Sequence, residues 1–183
     1  MKFKSQELLN QLIVETKSIS DYAEQLKSYP IEQLNHRTSK DSWSVLECLE
    51  HLNLYGRFYI PEIRSAISNS SRSANELFKS GWLGNYFAKS MLPKQKLNKM
   101  KTFKEMNPIH SNLNVEVIDD FLSQQVEMLH LLERAKSVNL SKTKTNISIS
   151  KLIKMRLGDT FRFVIYHNLR HIEQARKVIN YQL

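Results

Sequence analysis

Glycine and proline are scarce in this chain of 183 residues, at four each, against averages near ~7% and ~5%. A sandwich or barrel needs many tight turns, and a nucleotide fold needs a glycine-rich loop, so this depletion argues against both. A single cysteine, Cys48, excludes an intramolecular disulfide and fits a reducing compartment. No stretch approaches the roughly 20 apolar residues that span a bilayer. The opening MKFKSQELLNQLIVETKSI also lacks the apolar core of a signal peptide. These absences lead us to expect a soluble, cytoplasmic protein with no membrane partner. Acidic residues are outnumbered, 18 against 27 Lys plus Arg, leaving a net charge of +9. Such a charge favours polyanions or anionic small molecules as partners and says nothing about fold. With 41% hydrophobic and 25% charged residues the chain has ordinary globular usage. Its length suits a single domain over residues 1–183.

What is present is helical periodicity. From Ser5 to Tyr29 the residues Leu8, Leu9, Leu12, Thr16, Ile19, Tyr22, Ala23 and Leu26 share one face, and Pro30 closes the helix. The second helix opens on a capping box, Ser44-Val-Leu-Glu47. It turns Val45, Leu49, Leu52, Gly56, Tyr59, Ile60, Ile63 and Ile67 inward, with Pro61 predicting a kink or break. Between residues 69 and 111 the periodicity fails. There Gly81–Phe87 suggests a short aromatic helix or lid, and Lys94, Lys96, Lys99, Lys101 and Lys104 crowd together before Pro108. A crossover this long lets the second and third helices run parallel. The third helix spans about Asn114–Lys136, with Ile118, Phe121, Leu122, Gln125, Met128, Leu129 and Leu132 inward. A polar loop over 141–146 and a short amphipathic turn near 149–155 follow, and Asp159 is read as N-cap of the last helix. That helix, from Thr160 to about Tyr181, buries Phe161, Val164, Ile165, Asn168, Ile172, Ala175 and Ile179. The fold expected is all-α, a four-helix bundle with a long crossover between helices 2 and 3.

His167 and His171 lie one turn apart on the last helix, the spacing at which two imidazoles can share a metal ion. Both edge the apolar stripe, and His51 edges the stripe of the second helix. Spacing leaves two readings open, metal ligands or core-edge histidines bonded to polar neighbours such as Asn168 and Gln174.

Trp43-Ser44-x-x-Glu47-x-x-x-His51-Leu52, with His167-x-x-Arg170-His171-x-x-Gln174 near the C-terminus, resembles the DinB-like (DinB/YfiT) superfamily of metal-dependent enzymes. Lys101-Thr-Phe103, Pro108 and Leu157-Gly-Asp159 add to the likeness, which covers nearly the whole chain. The resemblance implies a four-helix bundle with one divalent transition metal, zinc or nickel, held by His51, His167 and His171. Many relatives carry Glu directly after the first C-terminal histidine; here Asn168 stands there. Characterised relatives resemble thiol S-transferases, thiol-dependent isomerases and hydrolases. The expected activity is therefore a metal-activated thiol or water acting on a small-molecule substrate, with a low-molecular-weight thiol as cosubstrate and a homodimer as the assembly. The lysine-rich crossover is a candidate seat for an anionic thiol.

Glu47 and Gln174 are candidates to orient the ligands from outside the metal shell, while Glu47 is equally explained by the capping box. Cys48 reads as a small packed hydrophobe rather than a fourth ligand, and Arg170 as a salt-bridge partner. His36, His110 and His130 read as exposed. No general base is assigned. Two alternatives belong to other classes. One is a non-catalytic dimeric interaction module using Trp82, Tyr86 and Phe87. The other is a basic protein holding nucleic acid non-specifically through Lys94–Lys104 and Lys142–Arg156. No helix-turn-helix, zinc-finger or RNP signature supports specific nucleic-acid binding.

Overall fold

The computed structural model describes residues 1–93 and 102–181; Lys94, Lys96, Lys99 and Lys101 of the cationic crossover lie outside them. Four long helices carry the architecture: α1 (Ser5–Leu26), α3 (Val45–Ser68), α5 (Glu116–Ala135) and α6 (Leu157–Asn180). Each buries most of the stripe that its sequence pattern marks, Tyr22 on α1 and Leu122 on α5 being half-buried and Leu131 taking the inward place assigned to Leu129. The helices pack in a ring, α1 on α5, α5 on α3, α3 on α6 and α6 on α1.

Side-chain pairs fix the helix directions. Asn53 meets Val117, Arg57 meets Asp120 and Arg64 meets Glu127, rising together, so α3 and α5 run parallel. Trp43 meets His171 and Tyr59 meets Phe163, so α3 and α6 run antiparallel. The chain therefore has to travel the length of the molecule between α3 and α5.

Along that crossover lie β2 (Leu77–Lys79), α4 (Trp82–Met91) and a 3₁₀ turn, Lys104–Met106. A five-residue helix, α2 (Ile31–Asn35), precedes α3. The all-α expectation holds in the main, and two small antiparallel sheets add to it. Strand β1 (Lys2–Lys4) pairs with β2, Phe3 opposite Phe78. Strand β3 (Lys144–Ile147) pairs with β4 (Ser150–Arg156) where a polar loop and an amphipathic turn were expected. The molecule is mostly helical nonetheless.

Two further expectations change. Pro61 does not break α3, which runs through it for 24 residues. Pro61 and Arg57, the residue whose carbonyl loses its amide partner, both lie on the exposed side, where water can satisfy that oxygen. Asp159 is not the N-cap of α6, because Arg156 holds that position and Asp159 sits inside the first turn. Its carboxylate serves α4 instead, accepting from the Ser80 hydroxyl at 2.5 Å and the Gly81 amide at 2.8 Å, Gly81 being the N-cap of α4. Arg162, one turn along, pairs with Asp159 at 3.1 Å and reaches Asn85 at 3.2 Å. Gly84 lets the helices close this tightly, since a Cβ there would stand 2.5 Å from the Asp159 carboxylate.

Both Asp159 and Arg162 are buried, so removing one partner strands a charge. Asp159→Ala is expected to cost about 3–5 kcal/mol of unfolding free energy, read by urea denaturation. A loss under ~1 kcal/mol would show that the pair does not hold α4 to α6.

Candidate metal centre

The capping box is formed as the sequence predicts, with the Ser44 amide donating to Glu47 Oε2 at 2.8 Å and the Glu47 amide to Ser44 Oγ at 3.2 Å. It sets the phase of α3 so that His51, two turns on, points at α6, where His167 and His171 stand one turn apart. The candidate ligand atoms of the three histidines lie within 4.8 Å of one another, and all three residues are buried. His51 Nε2 and His167 Nε2 are 3.1 Å apart. Nitrogens bound at roughly 2.0–2.1 Å to one tetrahedral ion stand about 3.3 Å apart, so the spacing suits shared ligation.

Two neighbours decide which nitrogens are available. The Met106 carbonyl can only accept, so His51 Nδ1, at 2.6 Å, is the donor and Nε2 keeps its lone pair. Gln174 Oε1 likewise accepts from His171 Nδ1 at 3.0 Å, leaving the lone pair of that ring on Nε2. Aromatic rings close the surroundings. Trp43 lies 4.6 Å from the His51 ring and 5.5 Å from the His171 ring, while Tyr55 and Phe163 flank His167 at 4.7 and 5.8 Å.

Burial pushes the His51 pKa down to about 4, with the Met106 carbonyl opposing. Burial also holds His167 and His171 well below their ordinary value, helped by the neighbouring imidazoles and by the charge of Arg170. All three rings are neutral at pH 7, the form in which imidazole binds metal.

The other candidates fall in different places. Gln174 touches the site directly through His171. Glu47 does not: its buried carboxylate takes the Arg37 guanidinium at 2.6 and 2.9 Å, the Ser44 amide, and the His110 amide at 2.5 Å. Burial raises its pKa, but Arg37 and the amide donors outweigh that and hold it below the usual carboxylate range. Its reach to the site runs through the crossover. It pins the turn at His110, whose φ is 64°, four residues from the Met106 carbonyl, while Trp43 Nε1 donates to Asn107 Oδ1 at 3.1 Å. Sequence reasoning missed Met106 and Arg37. The carbonyl has no residue-type signal, and Arg37 lies in a loop.

Cys48 is fully buried, and its thiol is pushed up by burial and then by Glu47, consistent with a packed hydrophobe. Arg170 is buried, and burial lowers its pKa. Asn168 donates to Gln125 Oε1 at 3.0 Å, tying α6 to α5. His36, His110 and His130 are exposed.

A family model described as the DinB superfamily matches residues 16–175. Neither a curated protein nor a solved structure matches the chain.

The buried imidazoles make stability depend on pH. Unfolded histidines take up protons as pH falls below about 6.5, whereas His51 in the fold resists until about 4. Protons in that window favour the unfolded chain. Metal-free protein is therefore expected to hold its full histidine contribution above pH 6.5 and lose it progressively toward pH 4, as urea denaturation across that range will show. Replacing all three histidines by Gln should flatten the profile; a wild-type profile already flat there would contradict the burial argument.

Proposed function

Given that the chain belongs to the DinB superfamily, we propose that it is a metal-dependent enzyme. In this reading one divalent transition ion, zinc or nickel, is held by His51 on α3 and by His167 and His171 on α6. One observation carries the reading. His51 and His171 each spend Nδ1 on a fixed acceptor and so turn a lone pair toward the same small volume, where His167 Nε2 also lies. A histidine merely satisfied in a core needs no such convergence. The four long helices then read as a four-helix bundle of the DinB/YfiT type, with the site held between α3 and α6.

Three neutral imidazoles leave coordination positions open, and a bound ion supplies a Lewis acid that brings a thiol or water toward ionisation near pH 7. The chain does the rest. Met106 and Gln174 hold two ligand rings in the tautomer and orientation that binding needs. Trp43, Tyr55 and Phe163 keep bulk water from the imidazoles and offer an apolar wall to a small-molecule substrate. Reaction by a low-molecular-weight thiol makes the protein a thiol S-transferase; reaction by water makes it a hydrolase.

Elemental analysis of tag-free protein is expected to find about one ion per chain, as a single tetrahedral site requires. The His51→Ala, His167→Ala double variant should bind none. Absence of metal after incubation with Zn²⁺ and Ni²⁺ would overturn the reading. Gln174→Leu removes an orienting acceptor and should weaken metal affinity about 10–100-fold, measured by competition with a chromophoric chelator. Unchanged affinity would remove Gln174 from the site.

A further inference from the structure

The β3–β4 hairpin and the adjoining edge of α4 expose more apolar surface than any packing role requires. Leu152 is 95% exposed and Trp82 84%, with Tyr86 and Ile149 also exposed. Trp82 and Ile153 share the walls of a cleft of about 240 Å³ between α4 and the hairpin. Isolated exposed apolar residues are ordinary; a tryptophan on the wall of such a cleft, with an almost fully exposed leucine next in sequence to Ile153 of the same wall, is not.

Cations stand directly behind them. Lys144 and Lys154 border this cleft and also a second one of about 390 Å³, which Arg72 and Lys142 help to line. Among the described residues none of these four forms an ion pair. The acid at the second cleft, Glu62, is occupied by the amide and side chain of Asn146. Lys144 lies directly opposite Arg156 across the ladder, a like-charge pairing that opposes the strand contact. An external anion would relieve it.

Spacing along β4 joins the two features. The ladder is irregular here, Lys154 pairing with Asn146 and Ser150 with Ile147, and Leu152, Ile153 and Lys154 are all exposed. Two residues on, Lys154 stands within about 7 Å of Leu152. An apolar group buried roughly 5–10 Å past the headgroups would leave such a lysine at phosphate level. We propose that this face docks on an anionic lipid bilayer, Leu152 and Trp82 entering the acyl boundary and Lys144 and Lys154 meeting the lipid phosphates. A second copy of the chain is the poorer occupant, since it brings the same charge, +9, to a face that is itself basic. This docking does not depend on the metal site, and it replaces the expectation of no membrane partner, which rested on the lack of a segment able to span a bilayer.

The test uses the full chain with vesicles of phosphatidylcholine alone and of phosphatidylcholine mixed with phosphatidylglycerol, at ~0.15 M salt. Expected are cosedimentation with the anionic vesicles only, at least a tenfold weakening in Lys144→Glu, Lys154→Glu, and a comparable loss in Leu152→Ser, Trp82→Ala. All four side chains are exposed, and circular dichroism and urea denaturation of each variant confirm that the fold persists. Three results would overturn the proposal. One is no binding to anionic vesicles. Another is binding that Leu152→Ser, Trp82→Ala leaves intact, or that single-stranded RNA abolishes by competition, meaning a general polyanion surface. The third is a dimer in sedimentation equilibrium that the same apolar substitutions dissociate, meaning an interface between copies.

Discussion

Two lone pairs cannot face each other at 3.1 Å in a buried interior. With its Nδ1 proton committed to Met106, His51 offers only a lone pair to His167, so a proton on His167 or a cation has to stand between them. Much of the molecule is arranged around this constraint. The antiparallel packing of α3 on α6 brings the rings together, the crossover supplies the carbonyl that fixes the tautomer of His51, and Gln174 does the same for His171. Burial keeps all three rings neutral, so the space they enclose accepts a positive centre without first having to expel one.

The crossover is held down at two points by buried carboxylates, each receiving an arginine and at least one backbone amide. Asp159 with Arg162 fastens the start of α4, and Glu47 with Arg37 fastens the turn at His110. Neither carboxylate touches an imidazole. Their importance to the site is that a long connection, entropically costly to order, is tied to the two helices that carry the histidines.

How far the sequence could be read follows from the range of the forces involved. The four long helices were legible because an apolar stripe repeats within each of them, and the capping box because its partners are three residues apart. Spacing and phase, which are also local, marked His51, His167 and His171 as core-edge histidines, and it was the resemblance that joined them into one ligand set. Strand β1 was not legible, since Lys2–Lys4 pairs with residues more than 70 positions away in the chain, Leu77–Lys79. Strand β3 was hidden in a Lys-Thr-Lys-Thr-Asn run with no apolar alternation. Asp159 was misread because its position suggested a cap for α6, when its partners were Ser80 and Gly81. Glu47 was legible as half of the capping box, but its further partners Arg37 and His110 came from segments with no pattern of their own.

The Met106 contact has a different kind of consequence. An acceptor that belongs to the backbone is indifferent to the side chain above it, so position 106 can drift freely in residue type. It is not indifferent to register. One residue gained or lost between 106 and 110 would displace the carbonyl by up to about 3.5 Å relative to the anchored turn, beyond hydrogen-bond reach of His51. Among descendants of this chain, the stretch should therefore be variable in composition and strict in length, a signature that comparisons of residue identity would overlook.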